Sequence, residues 1–433
     1  MRVTLKSALS DSHIDANQSS SQRQLMLSIA ATSEQINTNL PINLCLVLDH
    51  SGSMQGKPLE TVKKAAFSLI ESLGVNDRLS VIAFDHRAKV ILPSQSRQDD
   101  LTLIRSKIQQ LQAGGGTAID EGIKLGIQES STGSKGYVSH IFLLTDGENE
   151  HGDNQRCLKL AGVAAEYGIT LNTFGFGDHW NQDILEKIAD IAGGSLSYIE
   201  RPEQALIEFT RLFNRLQSVR LTNAFLQLEL DARTHLAELK PIAQVAPETI
   251  EMTPQKEGNF YITRLGDLMI DEEKIILLNL YIDQIPPGTH TIAQVKIRYD
   301  DPASGQKGLE TATISLNIAS QAIYQSQLDE QVQKSTLTLA KYRQTQIAEE
   351  KLKQGDRAAA ATMLQTAAKT ALQLGEKNAA TVLQTNATRL QVGEELSEGD
   401  LKKTRIIAKT RLQTDGWHPH RRKRTVRMST SFP

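Results

Sequence analysis

Cysteine is scarce in this chain, with two among 433 residues, Cys45 and Cys157. Two thiols so far apart make no disulfide framework. Cys45 sits inside an apolar strand-like run and reads as a buried thiol, and Cys157 falls on an amphipathic helical stretch. Long apolar runs are also missing. Ile275 to Ile282 is strand-sized, far short of the roughly 18–20 residues a membrane helix requires, so no transmembrane segment is expected. The opening residues Met1-Arg2-Val3-Thr4-Leu5 lack the apolar segment and small-residue cleavage site of a secretory signal. The expected location is cytoplasmic. Familiar catalytic signatures are absent as well: the sequence contains no GxxxxGK[ST], no HExxH and no GxSxG. No P-loop, zincin or serine-hydrolase chemistry follows from it.

What is present is a globular composition, 39% hydrophobic and 23% charged, in a chain long enough for two or three domains. The net charge of −2 conceals an asymmetry. Residues 401–433 carry ten Lys or Arg against one acid, a net +9, which leaves −11 for the first 400.

Residues 1–40 hold two β-like runs, Arg2 to Leu9 and Arg23 to Thr32, which suit an antiparallel hairpin. From residue 41 to 215 the pattern becomes βα alternation: short apolar strands such as Leu44 to Leu48 and Tyr137 to Leu144, separated by helix-length amphipathic runs, including one from Gln98 to Leu111. This calls for a doubly wound, Rossmann-like α/β unit with a mostly parallel sheet. Over residues 216–320 the period falls to two. Phe225–Leu230, Tyr261–Leu265, Lys274–Ile282, Thr291–Tyr299 and Glu310–Ile318 read as strands; with the N-terminal runs they are enough for a β-sandwich into which the α/β unit is inserted. Residues 321–391 turn Ala- and Gln-rich with helical spacing and read as a three-helix bundle. Residues 392–433 read as a basic, disordered tail.

The chemistry concentrates where the first α/β strand ends, in Asp49-His50-Ser51-Gly52-Ser53-Met54. Asp49, Ser51 and Ser53 place oxygen at every second position, at the sheet edge where α/β proteins gather ligands. A small hard cation needs several such oxygens. The competing reading is a helix cap by Asp49 or Ser51. Two more strand ends bring oxygen to the same edge: Thr117, after Gly114-Gly115-Gly116, and Asp146, before Gly147. Thr117 with Asp120 also matches a capping box, and Asp146-Gly147 a turn. His50, Met54 and His151 are expected at the rim.

The five residues Asp49, Ser51, Ser53, Thr117 and Asp146 resemble the metal-ion-dependent adhesion site of the von Willebrand factor type A domain, over about residues 40–215. Gly175-Phe176-Gly177-Asp178 looks like a strand end of bacterial members. The resemblance implies a divalent cation, Mg2+ first with Mn2+ or Ca2+ as alternatives. It also implies ligation by the hydroxyls of Ser51, Ser53 and Thr117, with Asp49 and Asp146 acting directly or through water. A protein partner would complete the coordination with Asp or Glu. The function expected is a cytosolic, non-catalytic, metal-dependent protein-binding module.

Enzyme readings fare worse on the same residues. Haloacid-dehalogenase-type phosphotransferases want a second Asp two positions after the first, and Ser51 stands there. The rival expectation is an accessory subunit of a chelatase or ATPase assembly, which a co-purifying ATPase would favour. An extracellular adhesin would need an export signal. The basic tail, with Arg421-Arg422-Lys423-Arg424, lacks aromatic interleaving, so nucleic acid is not expected. Its threonines in Lys403-Thr404-Arg405, Lys409-Thr410-Arg411 and Arg424-Thr425-Val426 are candidate phosphorylation sites, and the alternative for the tail is a secondary binding segment.

Overall fold

The computed structural model describes residues 2–32, 40–96, 101–133, 136–270 and 272–410. Strands β1 (Arg2–Leu9), β2 (His13–Asp15) and β3 (Ser20–Thr32) come first. The α/β unit follows, with β4 (Ile42–Asp49), α1 (Lys57–Ser72), β5 (Arg78–Phe84), β6 (Ala88–Ser96), α2 (Leu101–Gln109) and α3 (Ile119–Ser131). It continues through β7 (Val138–Thr145), α4 (Asn154–Glu166), β8 (Ile169–Phe176), α5 (Gln182–Ala192), β9 (Leu196–Ile199) and α6 (Ala205–Gln217).

Its sheet runs β6-β5-β4-β7-β8-β9, parallel except for the edge strand β6. β4, β7 and β8 are buried at every residue. This explains why they read as continuous apolar runs: helices cover both faces. Leu44, Leu46 and Leu48 pack with α1, α2 and α6 on one side. Cys45 and Val47 pack with α3, α4 and α5 on the other. Both thiols are free and buried, and desolvation pushes each up to about 12.

The chain then adds β10 (Val219–Leu230), β11 (Thr234–Leu236), β12 (Ile242–Ala246), β13 (Ile250–Met252), β14 (Gln255–Glu257) and β15 (Phe260–Met269). β16 (Lys274–Asp283), β17 (Gly288–Asp301), β18 (Gln306–Glu310) and β19 (Ile314–Gln321) complete the set. Two sheets result, β1-β3-β16-β12-β13 with β11 beside β16, and β14-β15-β10-β17-β19-β2 with β18 beside β17. They share one apolar cluster, in which Leu25, Leu27 and Ile276 of the first meet Leu226, Val295 and Ile297 of the second. The period-two reading of Glu310 to Ile318 as one strand is corrected, since β18 ends at Glu310 and β19 starts at Ile314.

Helices α7 (Glu330–Lys353), α8 (Arg357–Gln373), α9 (Lys377–Gln391) and α10 (Glu398–Lys409) close the chain. α10 corrects the disordered-tail expectation for residues 392–410. Ser397 and Asp400 form a capping box at its start. Thr404 is buried and accepts from the Asn386 side-chain amide at 2.7 Å, which removes it as a free phosphorylation site. Residues 411–433, including Arg421–Arg424 and Thr425, lie outside the described residues. No helix among those described is long and apolar enough to cross a membrane.

A polar seam joins the α/β unit to the second of these sheets, which is antiparallel except where β2 runs parallel to β19. The His140 ring of β7 and the Thr170 hydroxyl of β8 each lie 2.9 Å from the Asp267 carboxylate of β15. Gly193 and Gly266, both at positive φ, let the two backbones touch; a Cβ on Gly193 would stand 3.4 Å from the Gly266 Cα. Lys274 is buried beside this seam, its ammonium donating to the Leu265 carbonyl at 2.7 Å. Desolvation lowers it from 10.5 to about 8. Below pH 8 the folded chain therefore carries the full penalty of a dry ammonium. Between about 8 and 10.5 the folded state has shed a proton that the unfolded chain keeps, so this contribution to stability rises with pH. Lys274→Met removes this pH-dependent contribution, so urea unfolding should show the parent gaining stability relative to Lys274→Met as pH rises from about 8 to 10.

Candidate functional site

Asp49 ends β4 at a position with no exposure. Both of its oxygens are occupied: Oδ1 accepts from the Ser51 backbone N–H at 2.7 Å, and Oδ2 from the Thr145 hydroxyl at 2.5 Å. Thr145 ends the neighbouring parallel strand β7, so strand register sets this contact. Burial raises the Asp49 carboxyl to about 6, against the hydrogen bonds from Thr145 and Ser51.

In front of Asp49 the hydroxyls form a chain. Ser51 Oγ lies 3.0 Å from Ser53 Oγ, and Ser53 Oγ donates to Asp146 Oδ1 at 2.6 Å. Asp146 is also raised, mainly by burial and despite that hydrogen bond. Thr117 arrives on the loop before α3, which backbone bonds stitch to the Asp49 loop. Gly52 N–H donates to the Gly115 carbonyl at 3.0 Å, and Gly114 N–H to the His50 carbonyl at 2.9 Å. The glycines are needed here, because Gly115 has φ +78° and a Cβ on Gly116 would enter the His151 ring at 2.2 Å. A Cβ on Gly147 would lie 3.4 Å from Thr117 Oγ1 and 3.8 Å from Ser53 Oγ, which places both hydroxyls beside that glycine.

None of these hydroxyls caps a helix. The N-cap of α3 is Ala118, without a side-chain bond, and the Ile119 N–H is taken by Asn149 Oδ1 at 2.7 Å. The short turn Gly52–Met54 follows Ser51 with no side-chain cap, and α1 begins after Gly56. Capping therefore does not account for Ser51 or Thr117, and the capping-box reading of Thr117 is corrected.

Ser51, Ser53, Thr117 and Asp146 line one crevice of about 410 Å3, with Asp49 buried behind Ser51. Glu148, Glu150, His179 and Glu398 share its lining, and the sequence reading missed all four. It also missed Thr145, whose signal was a hydroxyl at a strand end beside Asp146. Of the three expected rim residues, His151 is exposed. His50 is buried with Nδ1 2.9 Å from the Gln112 carbonyl, and Met54 is buried in the core with α1 and α6. Gly175 gives Trp180 room to lie against the end of β8, where a Cβ would stand 2.1 Å from the indole.

Three hydroxyls and the Asp146 carboxylate lining one crevice, with the buried Asp49 carboxylate behind them, are hard oxygens that suit a small divalent cation, which would supply counter-charge to both acids. Asp49, with both oxygens occupied, would act from behind the hydroxyls. Among the described residues no group of three or more His, Cys, Asp or Glu gathers to hold a metal, at this crevice or elsewhere, so any cation here would rest on the hydroxyls of Ser51, Ser53 and Thr117 with Asp49 and Asp146. Thr145→Val would leave Asp49 Oδ2 without its donor in a dry site and should destabilise the chain by about 2 kcal/mol. Urea unfolding in chelator isolates that effect from any metal.

The von Willebrand factor type A domain profile matches residues 43–211. A second profile, the Sll0103-like C-terminal alpha-helical domain, matches residues 330–414. The uncharacterized protein sll0103 of Synechocystis sp. is 62% identical over 413 residues, covering 95% of this chain and 98% of the relative. The uncharacterized protein YfbK of Escherichia coli is 30% identical over 190 residues, which span 42% of this chain and 33% of that protein. Among solved structures, a von Willebrand factor type A protein from Catenulispora acidiphila superposes with a TM-score of 0.80 at 16% identity, over 95% of this chain and 97% of that one. At that identity the likeness speaks for the fold alone. With its α/β unit and its C-terminal helices both matched, the chain belongs to the Sll0103-like family of von Willebrand factor type A domain proteins.

Proposed function

We propose that this chain is a non-catalytic protein-binding module whose α/β domain holds a divalent cation and offers it to a carboxylate of a partner protein. Mg2+ is the proposed ion, with Mn2+ or Ca2+ as substitutes. Ser51, Ser53 and Thr117 would hold it through hydroxyl oxygens, with Asp49 and Asp146 supplying negative charge directly or through water. The observation that carries the proposal is that side chains from three separate loops meet at one crevice, while Ser51 and Thr117 serve no helix cap.

Neutral hydroxyls withdraw little of the cation's charge, so an ion held this way keeps affinity for one more anionic ligand. An Asp or Glu of a partner fits that need. The two β-sheets outside the α/β unit, read as a β-sandwich carrying that unit as an insertion, would serve with the helices as scaffold. The proposed setting is the cytoplasm, where two buried, unpaired thiols are at home.

Metal binding to the folded chain must show in its stability. Mg2+ at a hundredfold excess over its dissociation constant should add about 2.7 kcal/mol, read as a rise in melting temperature that EDTA abolishes. Asp49→Ala and the milder Thr117→Val should lose most of that rise. Pull-downs with Mg2+ should recover a partner set that disappears with EDTA. Recovery of the same partners with and without chelator would overturn the mechanism.

A further inference from the structure

One wall of the crevice comes from a distant part of the chain. Glu398, the first residue of α10, lines it together with Ser51, Ser53, Thr117 and Asp146. α10 reaches this place because a ladder of cations fixes it along α5 and the neighbouring strand ends. Lys402 donates to the Asp178 carbonyl and lies 4.6 Å from the Trp180 ring centroid. Lys403 meets Glu200 at 2.8 Å. Arg405 meets Asp183 at 2.5 Å and the buried Glu186 at 2.7 Å, and Lys409 meets Glu186 at 2.9 Å and Asp190 at 2.7 Å. Lys403, Arg405 and Lys409 each engage an acid and Lys402 a carbonyl, so the helix has little freedom to slide.

Glu398 does not cap α10; it places an acid in the first turn. The helix start is capped by Ser397 and Asp400. The Glu398 side chain is 68% exposed, and its ion pair with Lys402 is a loose 3.7 Å. A carboxylate with slack is thus delivered by a rigidly docked helix to the mouth of a site that calls for one.

We propose that Glu398 is the chain's own carboxylate for the cation, so that α10 closes the crevice as an internal competitor which a partner's Asp or Glu must displace. This rests on the metal reading given above. A partner would then bind best when it also loosens α10 from α5, which couples the C-terminal helical domain to access at the metal.

The test uses the full chain and Mn2+ as probe, with affinity from the free-ion paramagnetic signal and amide hydrogen exchange read over residues 398–409. In the parent, Mn2+ should slow exchange in the first turn of α10. Glu398→Gln should bind Mn2+ about tenfold more weakly and lose that slowing. Glu71→Gln, which removes an exposed acid of α1 outside the crevice, should retain both the affinity and the slowing. A Glu398→Gln chain that matches the parent in both readouts overturns the proposal and leaves the metal reading intact. So does weaker binding with the slowing preserved, since this marks Glu398 as only a rim charge. A parent chain that fails to bind Mn2+ overturns both.

Discussion

A carboxylate placed where water cannot reach it is the constraint around which this molecule is arranged. Asp49 ends a strand buried on both faces, and its charge is tolerated only because the Ser51 N–H and the Thr145 hydroxyl donate to it. Those donors are not enough, as the upward shift to about 6 shows. The parallel register of β4 and β7 brings Thr145 to it, and the loop register stitched by Gly52 and Gly114 brings Thr117. A cation at the hydroxyls in front would complete the compensation. Fold and candidate site are thus parts of one electrostatic problem.

The C-terminal helical domain solves a related problem differently. The buried positions of α10 are mostly polar or small, Gly399, Lys402, Thr404, Ala408 and Lys409. Its docking onto the α/β unit runs largely through acids of α5, of which Glu186 is 3% exposed, while Thr404 bonds Asn386 of α9. Ion pairs of this kind add little net stability, but breaking one strands a charge. They hold α10 in one register, and register is what sets Glu398 at the crevice.

These same facts decide what could be read from the residues alone. The α/β unit is legible because burial on both faces writes β4, β7 and β8 as unbroken apolar runs. The Asp49 and Asp146 loops are legible because that topology puts their strand ends on one edge, and the Thr117 loop because three glycines precede it at the start of α3. Strands such as His13–Asp15 and Gln255–Glu257 are too short to display a period. α10 escapes because lysines and a threonine form its buried side, so its composition reads as a solvated tail. Met54 and His50 look like rim residues by position, yet the loop folds back and buries both. Thr145 could have been found, being a hydroxyl at the end of a strand next to Asp146, but nothing in the spacing says that it faces Asp49.

The most direct test of this account is anomalous diffraction from crystals of the full chain grown with Mn2+. The account predicts one peak in the crevice, roughly 2.0–2.2 Å from the hydroxyl oxygens of Ser51, Ser53 and Thr117. An absence of density there, or Mn2+ bound only at other carboxylates, would contradict it.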